Sequence, residues 1–425
     1  MNVWIVNPFD NLPLEGYRPM RFWLMAEAFR KAGHKVVYWT SEFSHANKKK
    51  RVLDPEVETP FDIEILETQP YFKNVSLRRL KSHRKLAKTF LKVAREAIRN
   101  GRCKAPDLII ASSPPLGLVD ASHTIASETG AKVIVDIMDA WPETFERVVP
   151  RFLLWPLRRL ARRNYLRAAA ITTVADNYVE LARSYGFSKD IRRFYHGITK
   201  GDSPRSPQGD SPLTNQGDSP HLSSPISHPS SPIPHPSSLI PHPSTGTVPL
   251  RIVYAGNMGR SYDLATAVEA VGELGALATL DIAGKGEQEA SLKALVEEKG
   301  IKGVKFHGYL SEAELEELLK RSDVGLVPMD PSSCVGIPYK LADYAKSSLA
   351  IVSSLGGESA RLLKEYGAGV PYSFGDPASL VEAVVSLRSR LAEMRRASSK
   401  MLDEQFDSCR IYDSYVDFAA HVFSK

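Results

Sequence analysis

The chain has 425 residues, 43% apolar and 24% charged, which is more than one hydrophobic core usually organises and excludes global disorder. Three widely spaced cysteines, Cys103, Cys334 and Cys409, suggest neither a disulfide framework nor a CxxC metal cluster. With no signal-like start, no apolar run of about eighteen residues and a net charge of only +6, a cytoplasmic protein that does not span a membrane is expected.

In chain order, VWIVNP, KVVYWTS, FDIEIL, DLIIASS, KVIVDIMD and AITTVAD are short β-rich apolar runs. They read as strands of a parallel sheet with crossover helices. Two of those helices are MRFWLMAEAFRKAGH and HRKLAKTFLKVAREAIRNG, closing at Gly33 and Gly101 as left-handed caps. Basic clusters lie at Lys48 to Arg51, from Leu77 to Lys88, and at Arg158, Arg159, Arg162, Arg163 and Arg167. They suit solvated helix faces, anionic lipid or phosphorylated substrates. Without aromatic interleaving in a nucleic-acid motif, they do not point to RNA or DNA. In RFLLWPLRRLARRNYLRAAA, the apolar Phe152, Leu153, Leu154, Trp155 and Leu157 adjoin the last cluster. That pattern fits either a lipid headgroup layer or a buried helix with a basic outer face.

Residues 201–247 break the pattern. GDSP units start at Gly201, Gly209 and Gly217, and histidines follow seven apart at His221, His228, His235 and His242. Proline and serine at this density bury too little surface to offset chain entropy, so a disordered, partly polyproline II linker is expected. The histidine period follows from a short tandem expansion and needs no metal. From Leu250 the strand–helix alternation restarts with LRIVYAG, ATLDIAG, VKFHGYL, DVGLVPM and LAIVSSL. The expected domains are therefore 1–200 and 248–425, joined by 201–247, with the last helices free to pack back on the first domain.

Two motifs of the second half carry chemistry. YAGNMGRSYDLATAVEA places Gly256, Asn257, Gly259 and Arg260 in a turn between a strand and a helix, where backbone N–H groups and a helix dipole can hold phosphate. SSCVGIPYKLADYAKSS places Lys340 in the first turn after Pro338, with Asp343 one turn later on the same face. A carboxylate there can accept two ribose hydroxyls and the lysine can meet a phosphate. A surface ion pair between the two is the alternative.

With GNMG, DVGLVPM, PYKLADY and the GGES turn at Gly356 to Ser359, together with the N-terminal NPFDNLPLEGYRPMRFWLMAEAFRKAGH and VDIMDAWPE, the chain resembles glycosyltransferase family 4, in particular its surface-polysaccharide and O-antigen members. The resemblance implies an α/β GT-B fold, two Rossmann-like domains facing a central cleft. It also implies a retaining transfer of a hexosyl or N-acetylhexosaminyl unit from a nucleotide-sugar, UDP- or GDP-linked, to a lipid-linked or saccharide acceptor. No cofactor and no obligatory metal are implied, and peripheral contact with the inner face of the cytoplasmic membrane is expected.

By position, Asp343 stands for the second glutamate of the family's E-x7-E pair. Val335 replaces the first, Asn257 a phosphate-binding arginine, and Tyr262 a lysine; Ser348 and Ala350 replace a glycine and a proline. Arg260 and Lys340 are expected to supply the missing positive charge. In the first half, Asp139 ends a strand and is read as orienting the acceptor or touching the donor sugar, or else as capping a helix in WPETFERVV. Asp136 lies deeper on the same strand. The loop from Asn11 to Arg21, with Gly16 and Arg18, resembles the flexible loop that meets donor phosphates and acceptor. An epimerase on the same architecture and a catalytically weak nucleotide-sugar-binding homologue are the rival readings.

Overall fold

The computed structural model describes residues 1–73, 76–146, 149–200, 248–333 and 335–425; the expected linker at 201–247 lies outside the described residues. The first half runs β1 (Asn2–Val6), α1 (Arg21–Lys31), β2 (Lys35–Ser41), a small hairpin of β3 (Phe43–Ser44) and β4 (Lys49–Lys50), β5 (Asp62–Leu66), α2 (Leu77–Arg99), β6 (Leu108–Ser113), α3 (Leu116–Thr129), β7 (Lys132–Ile137), α4 (Trp155–Arg167), β8 (Ala170–Thr173), α5 (Asp176–Ser184) and β9 (Ile191–Arg193). The second runs β10 (Leu250–Ala255), α6 (Leu264–Leu274), β11 (Ala278–Ala283), α7 (Glu289–Glu298), β12 (Val304–Gly308), α8 (Glu312–Lys320), β13 (Val324–Val327), α9 (Tyr339–Lys346), β14 (Ala350–Ser353), α10 (Gly357–Tyr366), β15 (Gly369–Pro371), α11 (Pro377–Leu387), α12 (Leu391–Met401) and α13 (Ser408–Ser424).

Two parallel sheets result, ordered β5-β2-β1-β6-β7-β8-β9 and β12-β11-β10-β13-β14-β15. Central strands such as β6 are buried at every position, which is why they read as unbroken apolar runs rather than alternating ones. In each sheet the strand order reverses beside its first strand, between β1 and β6 and between β10 and β13. Such a switch point opens a crevice at the carboxyl ends of the strands, where doubly wound proteins bind ligands.

The domains meet through specific contacts. Glu358, at the start of α10, accepts from Arg193 at 2.9 Å, the Tyr195 hydroxyl at 2.8 Å and the Asp176 amide at 2.7 Å. The chain then crosses back. Ile198 bridges Asp407, and α13 lies along α1, with the Tyr415 ring 4.8 Å from Phe194 and 6.4 Å from Phe29.

One helix expected from the sequence is absent. Among the described residues of WPETFERVV the only helical element is the 3-10 turn Glu143–Phe145, opened by Pro142, so Asp139 is not the N-cap of an α-helix there. A proline in that position has no N–H to offer a capping carboxylate.

Candidate active site

The first turn of α9 is set by Pro338, which stands extended at its N-cap with ψ 148°. Tyr344 anchors the helix to the sheet: its hydroxyl donates to the Leu326 carbonyl at 3.2 Å and accepts from the Ala255 amide at 3.1 Å. Glycine is required at Gly325, since a Cβ there would fall 2.4 Å from the Tyr344 ring. Lys340 and Asp343 are thereby held at the crevice beside β10 and β13.

The Lys340 ammonium lies 5.0 Å from the centre of the Tyr254 ring and 4.6 Å from that of Tyr262. Burial pushes it down to about 8, against the opposing charge of Asp343. Tyr262, where the resemblance expects a lysine, thus forms part of the seat for a lysine from elsewhere. The alternative reading, a surface ion pair between Lys340 and Asp343, is not what forms: Asp343 pairs across the cleft instead. Arg18 of the first domain binds Asp343 with two nitrogens, Nη1 to Oδ1 at 2.5 Å and Nη2 to Oδ2 at 3.3 Å.

A cavity of about 350 Å³ adjoins this group, lined by Gly256, Asn257, Gly284, Lys285, Gly286 and Tyr309, with Ala46 from the first domain. Gly256 and Gly284 touch backbone to backbone: a Cβ at Gly284, whose φ is +135°, would fall 1.9 Å from the Gly256 carbonyl oxygen. Any side chain there would close the wall.

Two expectations for the glycine turn do not hold. Residues 257–263 separate Gly256 from α6, and the N-terminus of α6 is already filled by Asp263, which accepts from Thr266 N at 3.2 Å and Gly375 N at 2.9 Å. Arg260 is drawn outward. Its side chain is 74% exposed and pairs with Glu287 at 3.2 Å, so the structure does not bring it together with Lys340. Gly259 holds the turn instead, its carbonyl accepting from Gln288 at 2.5 Å.

On the first domain, Gly16, at φ +79°, closes the short turn Pro13–Glu15 that leads to Arg18. Arg51 ties this loop down, donating to the carbonyls of Ser41 and Asp10 at 2.8 Å each and pairing with Glu15. Asp136 is structural: fully buried, it holds Arg21 at 2.8 and 3.2 Å and accepts from Thr172 at 2.8 Å. Asp139 is half-buried at the end of β7. Burial raises its carboxyl, while the Ala140 amide and the charge of Arg79 act the other way. Sequence reasoning passed over Gly284, Gly286 and Tyr254, although the GKG after ATLDIA repeats the strand–glycine signal of the first motif.

Two Rossmann-ordered domains facing one cleft define a protein of the GT-B class. Residues 20–195 match the profile of the glycosyl transferase 4-like domain, and residues 249–390 that of glycosyl transferases group 1. The chain belongs to this family of glycosyltransferases. Among solved structures it is similar to the Anabaena HepE protein in complex with UDP and glucose, at 12% identity and TM-score 0.64, covering 99% of this chain and 100% of that one. It is also similar to a Thermosynechococcus elongatus sucrose-phosphate synthase, at 12% identity and TM-score 0.67, covering 100% of this chain and 99% of that one. The lipopolysaccharide outer core galactosyltransferase WaaB matches at 12% and 0.60, covering 99% of each chain. Similarity at this level speaks for the fold. No curated protein sequence matches the chain.

Proposed function

We propose that the chain transfers a sugar, with retention of configuration, from a nucleotide-sugar held by the second domain to an acceptor held by the first. The observation that carries this reading is the placing of Lys340 and Asp343 on one helix turn at the switch point, beside the glycine-walled cavity. Asp343 accepts the ribose hydroxyls, Lys340 meets the diphosphate, and Gly256 and Asn257, which line the cavity, let the backbone approach it. Charge builds on the nucleoside diphosphate as the glycosidic bond breaks, and a fixed cation in a dry site stabilises that change more than it stabilises the ground state. Asp139, at the first domain's strand ends, orients the acceptor hydroxyl. HepE's complexes with UDP and UDP-glucose make UDP-sugars the first donors to try.

The finer assignment is a hexosyl or N-acetylhexosaminyl transfer onto a lipid-linked or saccharide acceptor for surface polysaccharide, in the cytoplasm and at the membrane's inner face. What supports the membrane side is α4 and the turn before it. Phe152, Leu153 and Trp155 are 74%, 57% and 60% exposed, and the Arg159 guanidinium lies 5.6 Å from the Trp155 ring centre. Beneath them Ala161, Asn164 and Tyr165 are buried, so this is the outer face of a docked helix. Among the described residues no helix is long and apolar enough to cross a membrane.

A second reading, a nucleotide-sugar binder with weak turnover, is favoured by Val335, which packs against the core where the family carries a glutamate. The test is incubation with UDP- and GDP-sugars and a membrane extract, followed by mass spectrometry. A product heavier by one sugar with retained anomeric configuration supports transfer. Donor binding without product supports the second reading, and no binding of any donor overturns both.

A further inference from the structure

A buried basic and aromatic cluster lies beside Asp139. It lies outside the carboxyl ends of β1, β2, β5 and β7 and is closed by the first turns of α2. At its centre is Arg79, 8% exposed. Its guanidinium lies 4.6 Å from the Trp141 ring centre and 5.8 Å from those of Phe9 and Tyr71. Lys48 stands at the turn of the β3–β4 hairpin, its ammonium 5.1 Å from the Tyr71 ring centre and 3.3 Å from His45 Nδ1. His83 is 6% exposed, and its Nε2 has no hydrogen-bond partner.

Several features point to a ligand rather than to packing. Burial and the charges of Lys48 and Arg79 push His45 down to about 3, and burial with Arg79 does the same to His83. Both imidazoles are therefore neutral at pH 7, each with one N–H to donate. Lys48 is pushed down to about 8 by burial and by Arg79. A buried polar nitrogen left without a partner is costly, and two cations gathered in an aromatic setting repel each other. Lys48 also holds φ +53°, a left-handed conformation that is unfavourable for a non-glycine residue. One anion with several oxygens relieves the first two costs together. The adjoining hairpin residue Ala46 lines the donor-side cavity, and Asp139 stands within charge reach of Arg79.

We propose that Arg79, Lys48 and His83 form a binding site for a phosphate or diphosphate group on the acceptor. Arg79 presents its planar fork to two oxygens, Lys48 adds a point charge from the hairpin, and the neutral His83 donates its N–H to a third oxygen. The acceptor's phosphate is then anchored on the first domain while the hydroxyl to be glycosylated reaches toward Asp139 and the donor. Assigning the anion to the acceptor rests on the glycosyl-transfer reading above; the existence of an anion site does not.

The test is titration calorimetry of the full chain with inorganic pyrophosphate, with and without saturating UDP. Pyrophosphate is expected to bind one site that UDP leaves open, and Arg79→Gln and Lys48→Gln are each expected to weaken it at least tenfold with UDP affinity unchanged. Lys48→Gln is the safer variant, because its residue sits on a half-buried turn. Pyrophosphate that competes only with UDP, or that binds both folded variants normally, overturns the proposal. A chain that binds pyrophosphate in this way but no nucleotide would instead sink the donor reading alone. Decyl phosphate and glucose 1-phosphate separate the sources. Arg79-dependent binding of decyl phosphate at least tenfold tighter than inorganic phosphate marks a lipid-borne group, the same gain for glucose 1-phosphate marks a free sugar phosphate, and either supports the site.

Discussion

Arg18 and Asp343, 325 positions apart, close the cleft with a two-pronged ion pair between the first domain's loop and α9. The carboxylate proposed to accept ribose hydroxyls is therefore already occupied by a guanidinium. On the proposed donor site, donor and Arg18 would compete for the same two oxygens, and a displaced Arg18 would remain beside the incoming diphosphate.

Opposite effects on nucleotide affinity follow. Asp343→Ala removes the ribose acceptor and is expected to weaken UDP at least tenfold. Arg18→Ala removes a competitor. With side chains 39% and 27% exposed, a pair of this kind contributes about 0.2–1 kcal/mol, so UDP should tighten roughly one- to fivefold while the rate of transfer falls. Calorimetry with UDP decides. If both variants lose affinity alike, Arg18 is a donor ligand and not its competitor.

If Lys340 meets the diphosphate as proposed, the reaction should be sensitive to alkali. Its ammonium is pushed down to about 8, below the ordinary lysine value, so the cation is fully present below that pH and is lost as pH rises through it. Transfer should fall above pH 8 in the wild type and hold its rate to higher pH in Lys340→Arg, whose guanidinium does not titrate there. Folding takes the opposite sign: the buried charge destabilises below about pH 8, and that cost is relieved as pH rises through it. Because burial disfavours the charged form, Lys340→Met should raise the melting temperature at pH 7. Arg260→Ala, by contrast, should change the rate less than threefold, since Arg260 extends into solvent beside Glu287. Turnover is expected to survive EDTA, with Lys340 and the released Arg18 carrying the counter-charge. Rate profiles from pH 6 to 10 with and without chelator check the activity predictions, and a thermal melt of Lys340→Met at pH 7 checks the stability one.

Asp136 should behave as a structural residue. Its carboxylate and Arg21 are both fully buried, and Arg21 is further held by the carbonyls of Phe194 and Tyr195 at 2.9 and 3.0 Å. Removing one partner leaves a buried charge uncompensated, which costs about 3–5 kcal/mol. Asp136→Asn is expected to lose that much in urea unfolding; a variant of wild-type stability would mean that the Phe194 and Tyr195 carbonyls suffice to hold Arg21.

Strands and the Rossmann order were legible because parallel strands buried at every position are mostly apolar and do not alternate, as in Leu108–Ser113 and Val324–Val327. Leu116–Thr129 was not singled out as a helix: it is buried on several sides, with Leu118, Val119, Ala121 and Ile125 all inside, so no polar stripe marks it. In the site, PYKLADY announced Lys340 and Asp343 because both sit on one helix turn whose spacing is local. The partners were not legible. Arg18 and Tyr254 reach them across the fold, and nothing in the spacing of the chain tells which of Arg260 and Lys340 turns inward. That was decided by Glu287, whose carboxylate draws Arg260 to the surface.

The membrane reading can be tested on the outer face of α4. Arg158 is engaged by Glu143 and Glu146, and Arg163 and Arg167 by Asp120, which leaves Arg159 and Arg162 as the arginines to probe beside exposed Phe152 and Trp155. Each basic residue near an anionic surface contributes about 1 kcal/mol, and that part is screened by salt. The apolar part is not. The full chain should therefore sediment with vesicles containing phosphatidylglycerol and far less with pure phosphatidylcholine. Arg159→Glu with Arg162→Glu should abolish binding at low salt, because four charge units reverse at once, while Phe152→Ser with Trp155→Ser should weaken it and leave the residual binding more salt-sensitive. None of these residues supports the core, so transfer to a soluble acceptor should be retained in both double variants. Equal sedimentation with neutral and anionic vesicles, or unchanged binding by the double glutamate variant, would assign this face to solvent and leave the acceptor to arrive by another route.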